Sequence, residues 1–150
     1  MTETIWLAVQ ALPPAEWLRD SMLAYLLVNA THIVGLGLLL GCILALDVRL
    51  LGGFASVPLA SLAQFLSRMA AAGLLLAVAS APAYVQNNAF LAKLGLIAVA
   101  LANVLFLRRR RHWALALREG RTNLPVRLHA LLSLLLWPAA VVAGRWIGFI

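Results

Sequence analysis

Four long apolar stretches, separated by short polar segments, set the pattern of the chain. They are residues 21–46, 62–85, 89–107 and 128–150. The first runs for 26 positions without a formal charge. As an α-helix it would be about 39 Å long, enough to cross a hydrocarbon layer of ~30 Å. Because lipid offers the backbone no hydrogen-bond partner, each stretch is predicted to be a membrane-spanning helix.

Short connections predict how these spans are arranged. The expected fold class is all-α, with residues 1–150 forming one membrane domain. In it, an up-down-up-down four-helix bundle follows a short amphipathic segment, residues 1–20. The connection QNNAF is too short for anything but a tight turn, so the second and third spans are expected to be antiparallel neighbours.

Composition and charge exclude several classes of protein. The chain is 64% hydrophobic and only 11% charged, which excludes a soluble domain. Its net charge is +7, but seven of its twelve basic residues lie in 108–127, between two apolar stretches. This distribution predicts a cytoplasmic loop and no nucleic-acid binding. Alternation of the spans then places both termini in the periplasm, in a multi-pass protein of the bacterial inner membrane.

The first predicted helix carries a polar face and a small-residue face. Its polar stripe, Tyr25–Asn29–His32, has i, i+4, i+7 spacing and is expected to face protein rather than lipid. Gly37 and Gly41 form a GxxxG pair, with Gly35 nearby, which is expected to let a second helix approach closely.

Helical rise indicates which polar residues share a depth. His32, Asn29, Lys93 and Arg145 all fall in the outer half, where they are expected to converge on a cavity suited to an anionic, planar or carboxylated ligand. Two simpler interpretations stay open: His32 forms an interhelical hydrogen bond, and Lys93 and Arg145 snorkel to the surface. His129 lies about 20 Å away along the axis and is expected at the opposite interface.

The remaining residues with reactive side chains have plain interpretations. Asp47 and Arg49 are expected to cap the first helix. Cys42 is the single cysteine, which excludes an internal disulfide and a cysteine-rich metal site. The sequence contains no serine elbow, carboxylate pair, P-loop or dinucleotide fingerprint, so whether the protein is an enzyme stays open.

Three segments carry a resemblance to a known family. They are THIVGLGLLLGCILALDVRLLG (31–52), NNAFLAKLGLIAVALANVLF (87–106) and LSLLLWPAAVVAGRWIGF (132–149). Together with their spacing, they resemble an uncharacterised family of bacterial four-helix membrane proteins, a domain of unknown function. The resemblance implies the same four-span plan and no particular activity.

A more distant likeness implies a cofactor. The chain is similar in plan to the haem-containing protoporphyrinogen oxidase of bacteria and to the membrane part of copper-resistance protein D. Each has a histidine in its first relevant span and a later span opening with Lys-Leu, here His32 and Lys93-Leu94. The resemblance implies b-type haem at His32. Relatives often have a histidine at the end of span three, where this chain has LFLRRRR, so it implies no second histidine ligand there.

These observations lead to one hypothesis and two alternatives. The leading hypothesis is a protein that binds haem b, or a similar tetrapyrrole, with His32 as axial ligand, Asn29 or a backbone carbonyl orienting the ring, and Lys93 and Arg145 pairing with propionates. It would transfer electrons between membrane quinol and a periplasmic partner. The alternatives are a cofactor-free accessory subunit of a larger membrane complex and a metal or small-solute permease.

Overall fold

A computed structural model of the chain describes residues 21–81 and 88–146. These residues form five α-helices: α1 Met22–Leu51, α2 Leu59–Ala79, α3 Asn88–Arg109, α4 Arg111–Glu119 and α5 Leu124–Trp146. Within α1, α2, α3 and α5 lie four segments long and apolar enough to cross a membrane. The predicted all-α class and the four apolar helices are therefore confirmed. The predicted amphipathic segment, residues 1–20, lies outside the described residues.

Local chemistry fixes both ends of α1. Ser21 caps its first turn, because the Oγ of Ser21 accepts the backbone N–H of Ala24 at 3.2 Å. The helix continues past the predicted span to Leu51 and is capped by Gly52, whose φ of 114° lies in the left-handed region that favours glycine. The Arg49 side chain then donates from Nε to the carbonyl of Val57 at 3.1 Å, which holds the turn that leads into α2.

Two glycines bring α1 and α2 into backbone contact. A Cβ atom built on Gly35 would lie 2.7 Å from the backbone N of Ala77, and one built on Gly73 would lie 2.6 Å from the backbone N of Leu39. No side chain fits at either position. The buried face of α2 has small residues on both sides of Gly73, including Ala70 and Ala77, so the close approach extends along the helix.

The GxxxG pair predicted to make this contact does not make it. Gly37 and Gly41 are both exposed, and a Cβ atom on either would meet no atom within 4 Å in the part of the chain that the structure describes. Gly35 and Gly37 are two positions apart, about 200° around a helix, so they lie on nearly opposite faces. The packing face of α1 is therefore the one that carries Gly35.

The long helices pack in a series rather than in chain order. α1 packs against α2, α5 packs against α3, and α1 also packs against α5. Along the described residues, α2 and α3 are not among the helix pairs in extensive contact, so the prediction that they are packed neighbours is wrong. A tight connection brings two helix ends together, but it does not require the helices to pack along their lengths.

The short helix α4 closes one end of this arrangement. It is strongly amphipathic, and its apolar residues Trp113, Ala116 and Leu117 join an apolar cluster where α1 ends and α2 and α5 begin. The buried members of that cluster are Leu50, Leu59, Leu107, Ala116, Val126 and Ala130. We call this end of the molecule the α4 end.

The crossing of α1 and α2 predicts unequal effects of alanine at two glycines. Gly73→Ala should destabilise the protein by about 1–3 kcal/mol, because the new Cβ atom collides with backbone atoms that only helix separation can relieve. Gly37→Ala should be neutral or stabilising by up to about 1 kcal/mol, since alanine favours the helix and has space there. Thermal unfolding in one detergent compares the two variants. Equal losses of stability would place the crossing elsewhere.

Candidate functional site

The structure places His32 at the carboxyl end of α2. Its Nδ1 lies 2.9 Å from the carbonyl oxygen of Ala77 and 3.4 Å from Oγ of Ser80. A carbonyl only accepts, so Nδ1 carries the proton and donates it. Ala77 is in the last turn of α2, where carbonyls lack helical donors, and His32 supplies one. This tautomer leaves the Nε2 lone pair available as an acceptor or a metal ligand.

The rest of the predicted outer site is dispersed among the described residues. Asn29 is exposed and Tyr25 is 65% exposed, so the expectation that the whole stripe faces protein is wrong, although His32 does form a hydrogen bond with α2. The Lys93 side chain lies along Gly144 of α5, where an added Cβ atom would be 3.0 Å from its Cδ. Arg145, the next residue, is exposed. Lys93 and Arg145 are therefore close in the fold, while His32 contacts Ala77 and Ser80 at the carboxyl end of α2.

A cavity of about 300 Å³ lies toward the α4 end, where the sequence predicted no site. All five helices contribute to its lining, which is mostly apolar. The polar residues in the lining come from four helices; they are Asp47, Ser67, Asn103, Arg108, His129 and Ser133, together with the indole N–H of Trp137.

Four polar atoms without partners belong to this lining. Within the described residues, the buried side-chain atoms that make no hydrogen bond are Oδ2 of Asp47, Oγ of Ser67, Oγ of Ser133 and Nε1 of Trp137. All four residues line the cavity. A buried polar atom left unsatisfied costs about 1–3 kcal/mol. Their concentration around one cavity makes it the candidate site, because a molecule bound there would supply the missing hydrogen bonds.

Asp47 is the most informative of the four. The sequence predicted a helix cap, but Asp47 lies four residues before the end of α1 and its side chain is only 5% exposed. The Ser133 hydroxyl lies beside its carboxyl group, but Oγ of Ser133 is outside hydrogen-bond geometry. No cation of the described chain forms an ion pair with Asp47. An acidic side chain buried in this way inside a helix long and apolar enough to cross a membrane is a functional candidate.

His129 is also part of the cavity and not only an interface residue. Its Nδ1 donates to Oδ1 of Asn103 at 2.6 Å, and Nδ2 of Asn103 donates to the carbonyl of His129 at 3.0 Å. The ring lies 5.9 Å from the ring of Phe106, over which the Arg110 guanidinium stacks at 4.0 Å. These contacts fix the imidazole and leave its Nε2 as the acceptor.

Burial shows where the cavity opens. The lining residues contributed by α1 and α5 include the deeply buried Asp47, Ser133 and Trp137, the last two only 3% and 2% exposed. By contrast, Ala71 of α2 is exposed and Leu105 of α3 is 55% exposed. The cavity therefore has a closed wall of α1 and α5 and an open edge between α2 and α3, the two helices that lack extensive contact.

One signal in the sequence marks this site. His129, Ser133 and Trp137 recur at i, i+4 and i+8, which puts an imidazole, a hydroxyl and an indole N–H on one face of the last span. This face of the last helix contains no acidic residue of its own. Asp47 joins it only because α1 packs against α5, a contact that the sequence does not reveal.

Comparison with known proteins adds no assignment: no protein family, no curated protein and no solved structure matches this chain. The resemblance drawn from the sequence segments therefore stays a prediction, and function has to be inferred from the geometry of the site.

Proposed function

We propose that this chain is a multi-pass membrane protein that binds a small membrane-soluble molecule in the cavity at the α4 end. The observation that carries the proposal is the set of four buried, unpartnered polar atoms around one mostly apolar cavity. Apolar lining with a few convergent polar groups is typical of small-molecule sites. Of the alternatives from the sequence, a small-solute permease is the nearest.

The open edge supports entry from the bilayer. Ala71 and Leu105 flank that edge, and both are apolar and exposed. Because these helices are long enough to span a membrane, their exposed apolar surface would face lipid. A molecule dissolved in the bilayer would then reach Asp47 without crossing the polar surface.

The orientation of the chain in the membrane is part of the same proposal. We place it in the bacterial inner membrane as an up-down-up-down bundle, with the α4 end cytoplasmic and both termini periplasmic. Support comes from the arginines at that end and from the amphipathic α4, which suits the membrane surface. The cavity would then lie in the cytoplasmic half of the bilayer.

Filling the cavity from its open edge tests the proposal. Ala71→Trp should weaken binding of 4-propylphenol at least about tenfold, because the indole would occupy space that the ligand needs. Ligand-dependent shifts in the thermal unfolding of protein in lipid nanodiscs measure the affinity. The matched control is Ala72→Trp, at an exposed position outside the cavity lining. Equal affinities of both variants and the wild type would contradict the proposal.

Haem b is a second candidate ligand, and it would bind at His32 rather than in the cavity at the α4 end. The observation that favours it is the hydrogen bond from Nδ1 of His32 to the Ala77 carbonyl, which orients the ring and leaves Nε2 free to ligate iron. When bound, haem would supply electron transfer, with membrane quinol and a periplasmic protein as the proposed partners.

The described residues fit only part of a haem site. The Ala77 carbonyl takes the orienting role that was open to either Asn29 or a backbone carbonyl. Lys93 and Arg145 lie on α3 and α5, away from the His32 contact with α2. No cluster of three or more potential metal ligands exists in the described part of the chain. The accessory-subunit alternative stays a prediction as well.

Two substitutions at His32 separate iron ligation from helix capping. His32→Ala and His32→Gln should both abolish the Soret band of protein purified from haem-replete cells. His32→Gln should keep more thermal stability, because an amide N–H can still donate to Ala77. His129→Ala, at the α4 end, is the matched histidine control and should keep the band. A colourless wild-type protein would contradict haem binding and leave His32 as a capping residue.

A further inference from the structure

We infer that the occupant of the cavity at the α4 end is an uncharged amphiphile whose polar group both donates and accepts hydrogen bonds, as a phenol or an alcohol does. This inference rests on the proposed binding function and names the class of ligand.

The unpartnered atoms of the lining call for a ligand group that can act both as a hydrogen-bond donor and as a hydrogen-bond acceptor. The indole Nε1–H of Trp137 is a donor only, so it requires an acceptor. Oδ2 of Asp47 lies unpartnered on the same closed wall; a carboxyl oxygen needs a donor when it is ionised and an acceptor when it carries the proton, and a hydroxyl serves either form. The hydroxyls of Ser67 and Ser133 can adapt to either need. A ligand hydroxyl supplies a donor and an acceptor from one atom, whereas an ether, a ketone or an ammonium group supplies only one of the two.

The charges around the cavity oppose an ionised ligand of either sign. An anion would lose its hydration beside the buried Asp47 carboxyl, which offers it no positive charge. Arg108 lines the cavity and is exposed, and residues 109–111 beside it are also arginines, so a cation meets positive charge around the opening. An anion held by Arg108 at the edge would leave Asp47 and Trp137 unpartnered. A neutral molecule avoids both penalties.

The volume and the lining of the cavity define the apolar part of the ligand. A volume of about 300 Å³ is at the lower end of the range for small-molecule pockets. Most of the lining is leucine, isoleucine, valine and alanine, which favours an apolar body, and the edge between α2 and α3 favours a molecule that partitions into lipid. A short alkylphenol meets these requirements.

A series of ligands with one body and four polar groups tests the inference. The probes are 4-propylphenol, its methyl ether 4-propylanisole, the cation 4-propylbenzylamine and the anion 4-propylbenzoate. Dissociation constants come from thermal stabilisation in nanodiscs at equal ligand-to-lipid ratios. The phenol should bind about fivefold to tenfold tighter than the ether, the value of one hydrogen bond in an apolar site, and tighter than either charged probe.

Variants at the two required positions assign the preference to the site. Asp47→Leu removes the acceptor and Trp137→Phe removes the donor. Asp47→Leu should reduce the preference for phenol over ether to near one, because only the phenol can donate to this position. Trp137→Phe should weaken the binding of both probes and keep their ratio, because the phenol oxygen and the ether oxygen both accept, and the two readouts keep the test available if one variant fails to fold. The matched control is Asn29→Leu, an exposed polar position on α1 outside the cavity, which should keep the preference.

The outcomes distinguish this inference from the proposed function. If none of the four probes binds, the proposed function fails and this inference fails with it. If the ether binds as tightly as the phenol, or a charged probe binds most tightly, the cavity still binds small molecules but the inferred ligand class is wrong. A phenol preference that survives in Asp47→Leu, or an undiminished affinity of Trp137→Phe for both the phenol and the ether, would also overturn the inference.

Discussion

The close approach of α1 and α2 at Gly35 and Gly73 is the constraint on which the rest of the structure depends. At this crossing the two backbones leave no room for a side chain. The same contact places the carbonyl of Ala77 within reach of His32, which lies one turn before Gly35 in α1. It also sets the rotation of α1, because the face that carries Gly35 must meet α2. Asp47 lies 12 positions after Gly35, and its burial inside the molecule follows from that rotation.

The crossing also explains why the molecule has an open side. α1 has extensive contact with α2 on one side and α5 on another, and α5 in turn packs against α3. α2 and α3 are thus attached through the other two helices, and the space that they border is the cavity. Amphipathic α4 closes one end of that space with Trp113. The proposed function follows from this geometry: a closed wall carries the unpartnered polar atoms, and the open edge would face lipid if the four long helices span a membrane.

The helices could be predicted from the sequence more accurately than the contacts between them. Lengths of apolar runs are local properties, so four membrane-length helices could be predicted from residues 21–150. Which glycine of α1 packs depends on the small residues of α2, a long-range match that the GxxxG spacing of Gly37 and Gly41 does not encode. Asp47 resembles a helix cap in sequence because an apolar run ends there. Its role in a cavity is visible only when Ser133 and Trp137 are placed beside it.

The central claim is that the cavity completes the hydrogen bonds of its own lining with a ligand hydroxyl, and the indole N–H of Trp137 reports this most directly. In ¹⁵N-tryptophan-labelled protein in nanodiscs, the Nε1–H resonance that is lost in Trp137→Phe identifies this group. The account predicts that this resonance moves downfield on saturation with 4-propylphenol, as its proton gains an acceptor, and moves much less with propylbenzene. A Trp137 resonance that stays in place when the protein is saturated with the phenol would contradict the account.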